Sequence, residues 1–233
     1  MATVILARHG RSTANASGVL AGRGKGVHLD DHGVAQAKAM GERLSVLPLA
    51  AIATSPLERC RETAREIGKL QAVRLTTSTE RGLLECDYGS WTGCELKRLA
   101  KEPLWRTVQA HPAGAAFPDG ESMAQMMARS VETVRRWDAA VEAEHGPDAV
   151  WVAVSHADVI KSVLADALGL HLDLFQRITV DPASLSVVRY TPLRPFVVSM
   201  NTTSGDLGHL KPPKRRRKRV GSDAVVGGGA GTA

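Results

Sequence analysis

The sequence predicts an α/β fold, a three-layer sandwich in which helices flank a mostly parallel central sheet. Two features indicate this fold. Short β-branched apolar runs alternate along the chain with longer stretches of helical periodicity, the order typical of parallel sheets covered by helices. Two of these runs, at 3–7 and 149–154, are apolar at successive rather than alternate positions, which is typical of strands buried on both faces.

The predicted elements follow in a regular order. Strands are predicted at 3–7, 50–54, 73–77, 149–156, 184–190 and 196–200. Helices are predicted after Asp30, which acts as N-cap, and over 57–70, 122–144 and 158–168. Residues 78–122 are irregular, with two short helices and the turn-like segments PAG and PDG. We predict that they form a small cap-like insertion.

Composition divides the chain into a body and a tail. The 233 residues are 43% apolar and 23% charged, as in soluble globular proteins, which excludes global disorder. The net charge is +6, and residues 211–233 hold seven basic residues and one acid, so the body carries no net charge. We predict one domain over 1–203 and a disordered, basic and glycine-rich tail over 204–233.

Composition also argues against several classes of protein. The longest apolar stretches are far shorter than the roughly 20 residues that a membrane helix needs. The three cysteines form neither an even framework nor a CxxC pair, and the N-terminus lacks the features of a signal peptide, so we predict a cytoplasmic location and no zinc site. The basic run at 214–219 is expected to bind nucleic acid weakly and without sequence specificity. A homo-oligomer is compatible with the sequence.

Candidate catalytic side chains follow three of the predicted strands. Two strands end in histidine, at His9 and His156, and a third leads within a few residues to Arg59. The irregular segment supplies Glu85. Because the carboxyl ends of parallel strands meet at one edge of a sheet, we expect these groups to converge there. Taken singly, each has an ordinary alternative, as a polar loop histidine, an exposed helix arginine or a solvated acid.

Six motifs occur together in one order. They are RHGRSTAN (8–15), LDDHGVAQA (29–37), SPLERCRETA (55–64), LECDYGSWTG (84–93), PDGES (118–122) and VSHADVIK (154–161). The series resembles the histidine phosphatase superfamily, also called phosphoglycerate mutase-like, from residue 3 to about residue 200. It is most similar to the bacterial members described as phosphatases or phosphomutases. The resemblance implies a phosphoglycerate mutase-like fold and a phosphatase or phosphomutase activity, and we expect no cofactor.

The resemblance also implies a role for each matching residue. His9 falls on the family's phosphorylated histidine and Glu85 on its general acid/base. Four further residues fall on the phosphate pocket: Arg8, Asn15, Arg59 and His156. Arg23, in the glycine-rich loop at 18–26, is a candidate for contact with the substrate.

These residue types suit the transfer of a phosphoryl group. Two arginines offer forked donors to a group whose charge is spread over three oxygens. A neutral His9 is a competent nucleophile if a backbone carbonyl of the following loop holds its other ring nitrogen. A protonated His156 would add a further donor. The ionisation of Glu85 stays open, since a bound phosphate and apolar neighbours raise its pKa while the arginines lower it.

No step of this chemistry requires a metal ion, and the sequence predicts no metal site. His28 and His32 flank Asp30 and Asp31, and we interpret the group as loop and helix-capping residues.

The leading hypothesis is a metal-independent phosphomonoesterase that hydrolyses small phosphorylated metabolites through a phosphohistidine. A phosphomutase is the alternative, although the family's cofactor-dependent mutases usually carry a longer insertion than the 70 residues that separate Glu85 from His156. The loop after Asn15 also reads GVLAGRGKGVH rather than the Arg-x-x-Gly-Trp type of the mutases. A third hypothesis is a protein that binds nucleic acid or acidic partners through its basic tail.

Overall fold

A six-stranded mixed sheet lies at the centre of the protein. The structure is a computed structural model, and it describes residues 2–212. In chain order the strands are β1 (Thr3–Arg8), β2 (Leu49–Thr54), β3 (Thr77–Thr79), β4 (Val150–Ser155), β5 (Leu185–Tyr190) and β6 (Pro195–Thr202). Their order in the sheet is β3-β2-β4-β1-β5-β6. Strands β1 to β4 are parallel, whereas β5 pairs antiparallel with both β1 and β6. The predicted α/β class and mostly parallel sheet are confirmed.

Helices cover both faces of this sheet. The α-helices of the described residues are α1 (Thr13–Ser17), α2 (Asp31–Leu44), α3 (Glu58–Lys69), α4 (Leu96–Leu99), α5 (Pro103–Ala110), α6 (Met123–His145) and α7 (Ala157–Ala167). Short 3₁₀ turns lie at Arg81–Leu83, Gly89–Trp91, Pro112–Gly114, Leu172–Arg177 and Gly208–Leu210. In this described part of the chain, no helix is both long enough and apolar enough to cross a membrane.

The two faces of the sheet explain the uninterrupted apolar runs. Val4 and Leu6 of β1 pack in the core shared with α6 and α7. Ile5 and Ala7, which point to the opposite face, pack in the core shared with α2 and α3. All residues of the central strand β4 are buried. Successive apolar residues are therefore needed wherever both faces of a strand are covered.

Side-chain caps set the beginnings of two predicted helices. The carboxylate of Asp30 accepts the backbone N–H of Gly33 at 2.7 Å and caps α2. Ser122 begins α6 through a reciprocal capping box with Gln125. Both helix starts agree with the sequence prediction.

Two elements differ from the prediction. Helix α1 follows the RHG motif, where the sequence predicts no helix. Strand β3 lies at Thr77–Thr79 rather than at 73–77, because it pairs only with the last three residues of β2. Val73 is 72% exposed, so this apolar residue does not belong to the core.

The ordered body extends further than the predicted boundary at residue 203. Leu207, placed by the sequence in the tail, is 4% exposed and packs in the core beneath α2 and α3. Arg43 of α2 donates hydrogen bonds to the carbonyl oxygens of Ser204 and Gly205. The prediction of disorder is therefore wrong for residues 204–212, and residues 213–233 of the predicted tail lie outside the described residues.

The insertion at 78–122 shares its core with the body. Trp91, Leu99 and Phe117 are buried in the same cluster as Met123 of α6. It therefore packs as part of the domain, against the edge of the sheet where the candidate residues meet.

Candidate active site

The register of β1 and β4 brings the two candidate histidines together. Arg8 pairs with Ser155 at the ends of these parallel strands, and the N–H of His9 donates to the carbonyl of Ser155 at 3.1 Å. His9 and His156 follow directly. Their ring centroids are 5.2 Å apart with the planes inclined by 63°, and both residues are buried. The convergence predicted from two strand ends is present in the structure.

The hydrogen bonds of His9 leave one ring nitrogen free of a proton. Nδ1 lies 2.7 Å from the carbonyl oxygen of Gly10, and because a carbonyl only accepts, Nδ1 carries the proton. Nε2 therefore presents a lone pair, which accepts from Nε of Arg59 at 3.3 Å. Burial, followed by the charges of Arg59 and Arg8, lowers the pKa of His9 well below 6.5. His9 is thus a neutral imidazole, with a backbone carbonyl holding its other nitrogen as the sequence predicts.

The turn after His9 requires a glycine. The N–H of Gly10 donates to the hydroxyl of Thr63 at 3.1 Å. A Cβ at Gly10 would lie 2.3 Å from the carbonyl oxygen of Gly33, a distance that no real contact permits. The RHG motif therefore combines a catalytic candidate with a residue that lets the chain pass close to α2.

Arg59 links both histidines to the loop at 18–26. It lies in the first turn of α3 and is 1% exposed. Its Nη2 donates to the carbonyl of Gly22 at 2.8 Å and to Nδ1 of His156 at 3.2 Å. The exposed-helix alternative for Arg59 is therefore excluded.

Two buried guanidinium donors have no partner in the described protein. They are Nη1 of Arg59 and Nε of Arg8. Nη1 of Arg8 donates a 2.6 Å hydrogen bond to the carbonyl of Val180. Among the described residues, neither arginine forms an ion pair with a carboxylate. Buried donors normally find partners, and buried charge is costly. The cluster is therefore suited to an oxyanion.

The contacts of His156 favour its neutral form, a protonation state that the sequence leaves open. Since Nδ1 accepts from Arg59, its proton lies on Nε2, which donates to the hydroxyl of Ser55 at 2.8 Å. Burial and the charge of Arg59 lower its pKa well below 6.5. The Sγ of Cys60 lies 3.4 Å from Nε2, and burial raises the pKa of that thiol to about 12, so it stays protonated. A second proton, on Nδ1, would lie against Arg59, which disfavours the protonated form.

Glu85 has the ionisation of a general acid/base. Its side chain is buried, and Oε1 accepts the N–H of Cys86 at 3.0 Å. Burial and then the charge of Asp158 raise its pKa to about 7, against the opposing effects of the Cys86 N–H and the two arginines. The balance that the sequence leaves open is thus decided by burial.

Asn15 and Arg23 lie against other protein groups. The Oδ1 of Asn15 accepts from the N–H of Ser12 at 3.0 Å and from its hydroxyl at 2.9 Å, in the capping box of α1. Arg23 donates from Nε to the carbonyl of Glu85 at 2.9 Å. Contacts of either residue with phosphate or substrate stay predictions.

Two residues of the group around Asp30 have structural roles. His28 pairs with the carboxylate of Glu62, while Asp30 caps α2. Among residues 2–212 no three histidine, cysteine or acidic side chains are grouped so that they could hold a metal ion.

Comparison with known proteins identifies the family. The model of the histidine phosphatase superfamily (branch 1) matches residues 4–203. The chain belongs to this superfamily. Phosphoserine phosphatase 1 of Hydrogenobacter thermophilus is 31% identical over 209 residues, which cover 87% of this chain and 93% of the relative. A Yersinia pestis protein named probable phosphoglycerate mutase is 29% identical over 217 residues, covering 91% and 97%.

Solved structures agree with this membership. A mycobacterial glucosyl-3-phosphoglycerate phosphatase, in complex with VO3, matches with a TM-score of 0.77 and 25% identity over 85% of this chain and 98% of that one. The alpha-ribazole phosphatase of Shigella flexneri matches with a TM-score of 0.75 and 22% identity over 87% and 97%. The fold of this histidine phosphatase is therefore phosphoglycerate mutase-like, as the resemblance implies.

Sequence reasoning missed several residues around the site. Ser55 and Asp158 follow β2 and β4, so the strand-end argument that found the histidines would also have found them. Arg129 lies seven residues inside a long helix, and no local pattern marks it. Glu121 falls in the PDGES motif, but the sequence alone assigns it no role. Their contacts with the Glu85 segment become evident only in three dimensions.

Proposed function

We propose that this histidine phosphatase is a metal-independent phosphomonoesterase that hydrolyses small phosphorylated metabolites through a phosphohistidine at His9. One observation carries the proposal. The unprotonated Nε2 of His9 lies beside Arg59 in a buried cluster where two guanidinium donors have no protein partner. A phosphate dianion would supply acceptors to both donors and place its phosphorus near the lone pair of Nε2.

The reaction has two steps. In the first, Nε2 of His9 forms a bond to phosphorus, the ester P–O bond breaks, and Glu85 gives its proton to the departing oxygen. In the second, water attacks phosphorus and Glu85 takes a proton from that water. The P–N bond breaks, and its electron pair remains on Nε2 as a lone pair. A pKa of about 7 leaves Glu85 in comparable amounts of both forms near neutral pH, as this alternation requires.

Cations on the protein replace the charge that a metal ion would contribute. Arg8 and Arg59 are forked donors whose charges act on His9, and the amide NH₂ of Asn15 would add a neutral one. We expect activity to be unchanged by EDTA and inhibited by vanadate, which mimics the trigonal-bipyramidal phosphorus. Restoration of activity only by added Mg²⁺ or Zn²⁺ would contradict this part of the proposal.

Trapping of the intermediate tests the nucleophile. Rapid quenching with ³²P-labelled substrate should yield a phosphoprotein that is labile in acid and stable in base. His9→Ala should lose the label and lower turnover by more than about a thousandfold. His32→Ala, at an exposed histidine in the first turn of α2, should retain both. Near-normal turnover by His9→Ala would refute the mechanism.

A phosphomutase is the second candidate, because one relative at 29% identity bears the name probable phosphoglycerate mutase. In a mutase the phosphohistidine gives its phosphoryl group to a second hydroxyl instead of water. Assays of a panel of phosphorylated metabolites for both phosphate release and isomer formation separate the two outcomes. We expect phosphate release to predominate.

Compartment and further partners belong to the same proposal. Cys60 and Cys86 are buried free thiols and Cys94 is a half-buried one, which supports a reducing, cytoplasmic location. Basic residues after Lys211 would bind nucleic acid weakly and without specificity. Sedimentation of the purified protein would decide between a monomer and a homo-oligomer.

A further inference from the structure

We propose that Arg129, held in place by Glu121, is a positioning residue that fixes the general acid/base Glu85. The inference rests on the proposed function, since it assigns Glu85 the protonation of the leaving oxygen.

Arg129 directs its guanidinium at the segment that carries Glu85. The residue lies on α6, and its side chain is 23% exposed. Nη1 donates to the carbonyl of Gly82 at 2.9 Å and to that of Leu84 at 2.8 Å, and Nη2 donates to the carbonyl of Glu85 itself at 3.1 Å. Three carbonyls within four residues of chain are thus tied to one rigid helix.

Glu121 fixes the orientation of this guanidinium. Its two carboxylate oxygens accept from Nε of Arg129 at 2.9 Å and from Nη2 at 2.5 Å, a bidentate pair. The same carboxylate accepts the N–H of Asp87 at 2.9 Å, on the far side of Glu85. Hydrogen bonds to this pair therefore hold the chain both before and after the general acid.

Arg23 joins the same network from the loop at 18–26. It donates to the carbonyl of Glu85, to Asp87 at 3.1 Å and to Glu121 at 2.9 Å. The carbonyl oxygen of Glu85 thus accepts from two guanidiniums. The adjacent Gly22 accepts from Arg59, so the network extends from the acid to the residue that contacts His9.

The charges of this network balance. Two arginines, Arg23 and Arg129, face two carboxylates, Asp87 and Glu121. The Glu85 backbone is therefore held by strong charge-assisted bonds that bring no net positive charge to its carboxyl group, so the proton needed in the first step is retained. Placement of an acid to within about 0.5 Å depends on such supporting contacts.

Leaving-group dependence distinguishes this role from a purely structural one. Arg129→Lys keeps the positive charge but loses the several N–H donors of the guanidinium. We therefore expect kcat for an alkyl phosphate to fall on the order of 10²-fold. The value for p-nitrophenyl phosphate should change little, because nitrophenolate leaves without a proton. Arg136→Lys is the matched control, since Arg136 lies on the same helix and pairs with Glu80 instead. It should leave both rates unchanged.

A double-mutant cycle assigns the effect to Glu85. When Glu85→Gln has already removed the acid, adding Arg129→Lys should lower kcat for the alkyl phosphate no further. Equal losses on both substrates, or full additivity with Glu85→Gln, would overturn the positioning role. If single-turnover phosphorylation of Glu85→Gln, which excludes the second step, shows no leaving-group dependence, the acid role that the proposed function gives Glu85 fails instead, so the two failures are distinguishable.

Discussion

Nε of Arg59 lies 3.3 Å from Nε2 of His9 and donates to the lone pair that would attack phosphorus. These contacts hold His9 as a neutral, oriented imidazole with a cation against it. Arrival of a phosphate would give Arg59 a better acceptor and release Nε2 for attack. In the proposed mechanism the same residue would orient the nucleophile and then stabilise the transferring group.

Replacement of Arg59 should lower the activity of the enzyme without lowering its stability. Arg59→Met removes the fork, and kcat/KM should fall by at least about 10²-fold, because these contacts strengthen in the transition state. The melting temperature should not fall, since a buried cation without a carboxylate partner is replaced by an apolar side chain of similar length.

Steady-state kinetics and thermal unfolding of the same variant test both parts. Arg61→Met, two residues along α3 at an exposed position, is the control and should retain activity. A large loss of melting temperature together with activity would mean that Arg59 holds the fold rather than the phosphate.

Glu85→Gln should impair poor leaving groups selectively. An amide cannot donate a proton to an alkoxide, so kcat for sugar phosphates should fall far more than kcat for p-nitrophenyl phosphate. Glu95→Gln, at an exposed acid of the same insertion, should change neither rate. Identical losses on both substrates would show either that Glu85 does not protonate the leaving group or that the second step limits both reactions.

Replacement of Asp158 should shift the alkaline limb of the profile of kcat/KM against pH. Burial and the charge of Asp158 raise the pKa of Glu85 to about 7, so activity limited by the first step is lost as pH rises through about 7. Asp158→Asn removes one of the two raising effects but can still accept the hydroxyl of Tyr88, which donates to Asp158 at 2.7 Å. The limb should therefore move to lower pH, as measured by kcat/KM for an alkyl phosphate. A limb that stays in place or moves up would contradict this electrostatic account.

A second buried carboxyl group, that of Asp138, should make the stability of the fold depend on pH. Asp138 is 1% exposed, accepts from Nε1 of Trp151 at 3.1 Å, and has its pKa raised by burial from 3.8 to about 6. The folded state then binds a proton more tightly than the unfolded state, so stability is lost as pH rises from about 4 to 6. Asp138→Asn should remove this slope and raise the free energy of unfolding at pH 7 by about 1–3 kcal/mol.

Urea unfolding at several pH values measures this effect. Glu144→Gln lies on the same helix at an exposed position and should leave the pH slope unchanged. A lower stability of Asp138→Asn at pH 7 would mean that the charged carboxylate, with its hydrogen bond from Trp151, stabilises the fold.

Strand patterns predicted the positions of the site better than its electrostatics. His9 and His156 follow from buried runs that end at one sheet edge, and the family resemblance assigned Glu85 its role. The protonation state of His156 could not be predicted, because the sequence does not show that its Nδ1 faces Arg59. Arg129 was not predicted at all, because a polar residue on an amphipathic helix has the same pattern whether it contacts solvent or a catalytic loop.

The end of the domain was also misplaced, because Leu207 and Leu210 are the two leucines of a segment that is otherwise polar and glycine-rich. Two leucines are too few to establish a helix or strand pattern that would mark the segment as part of the core. The structure places Leu207 against the core beneath α2 and α3, close to where Arg43 binds the backbone of 202–205.

Two truncations should locate this end of the domain and test the role of the basic residues. A chain that ends at residue 212 keeps Leu207 and the contacts of Arg43, so its melting temperature and kcat should equal those of the full chain. A chain that ends at 203 loses the buried leucine and should melt several degrees lower, since removal of such a side chain costs about 2–5 kcal/mol. Weak nucleic-acid binding should disappear in both, because each lacks the basic run at 214–219. Catalysis that collapses in the 212-residue chain, or sequence-specific nucleic-acid binding that survives in it, would move function away from His9 and toward the third hypothesis.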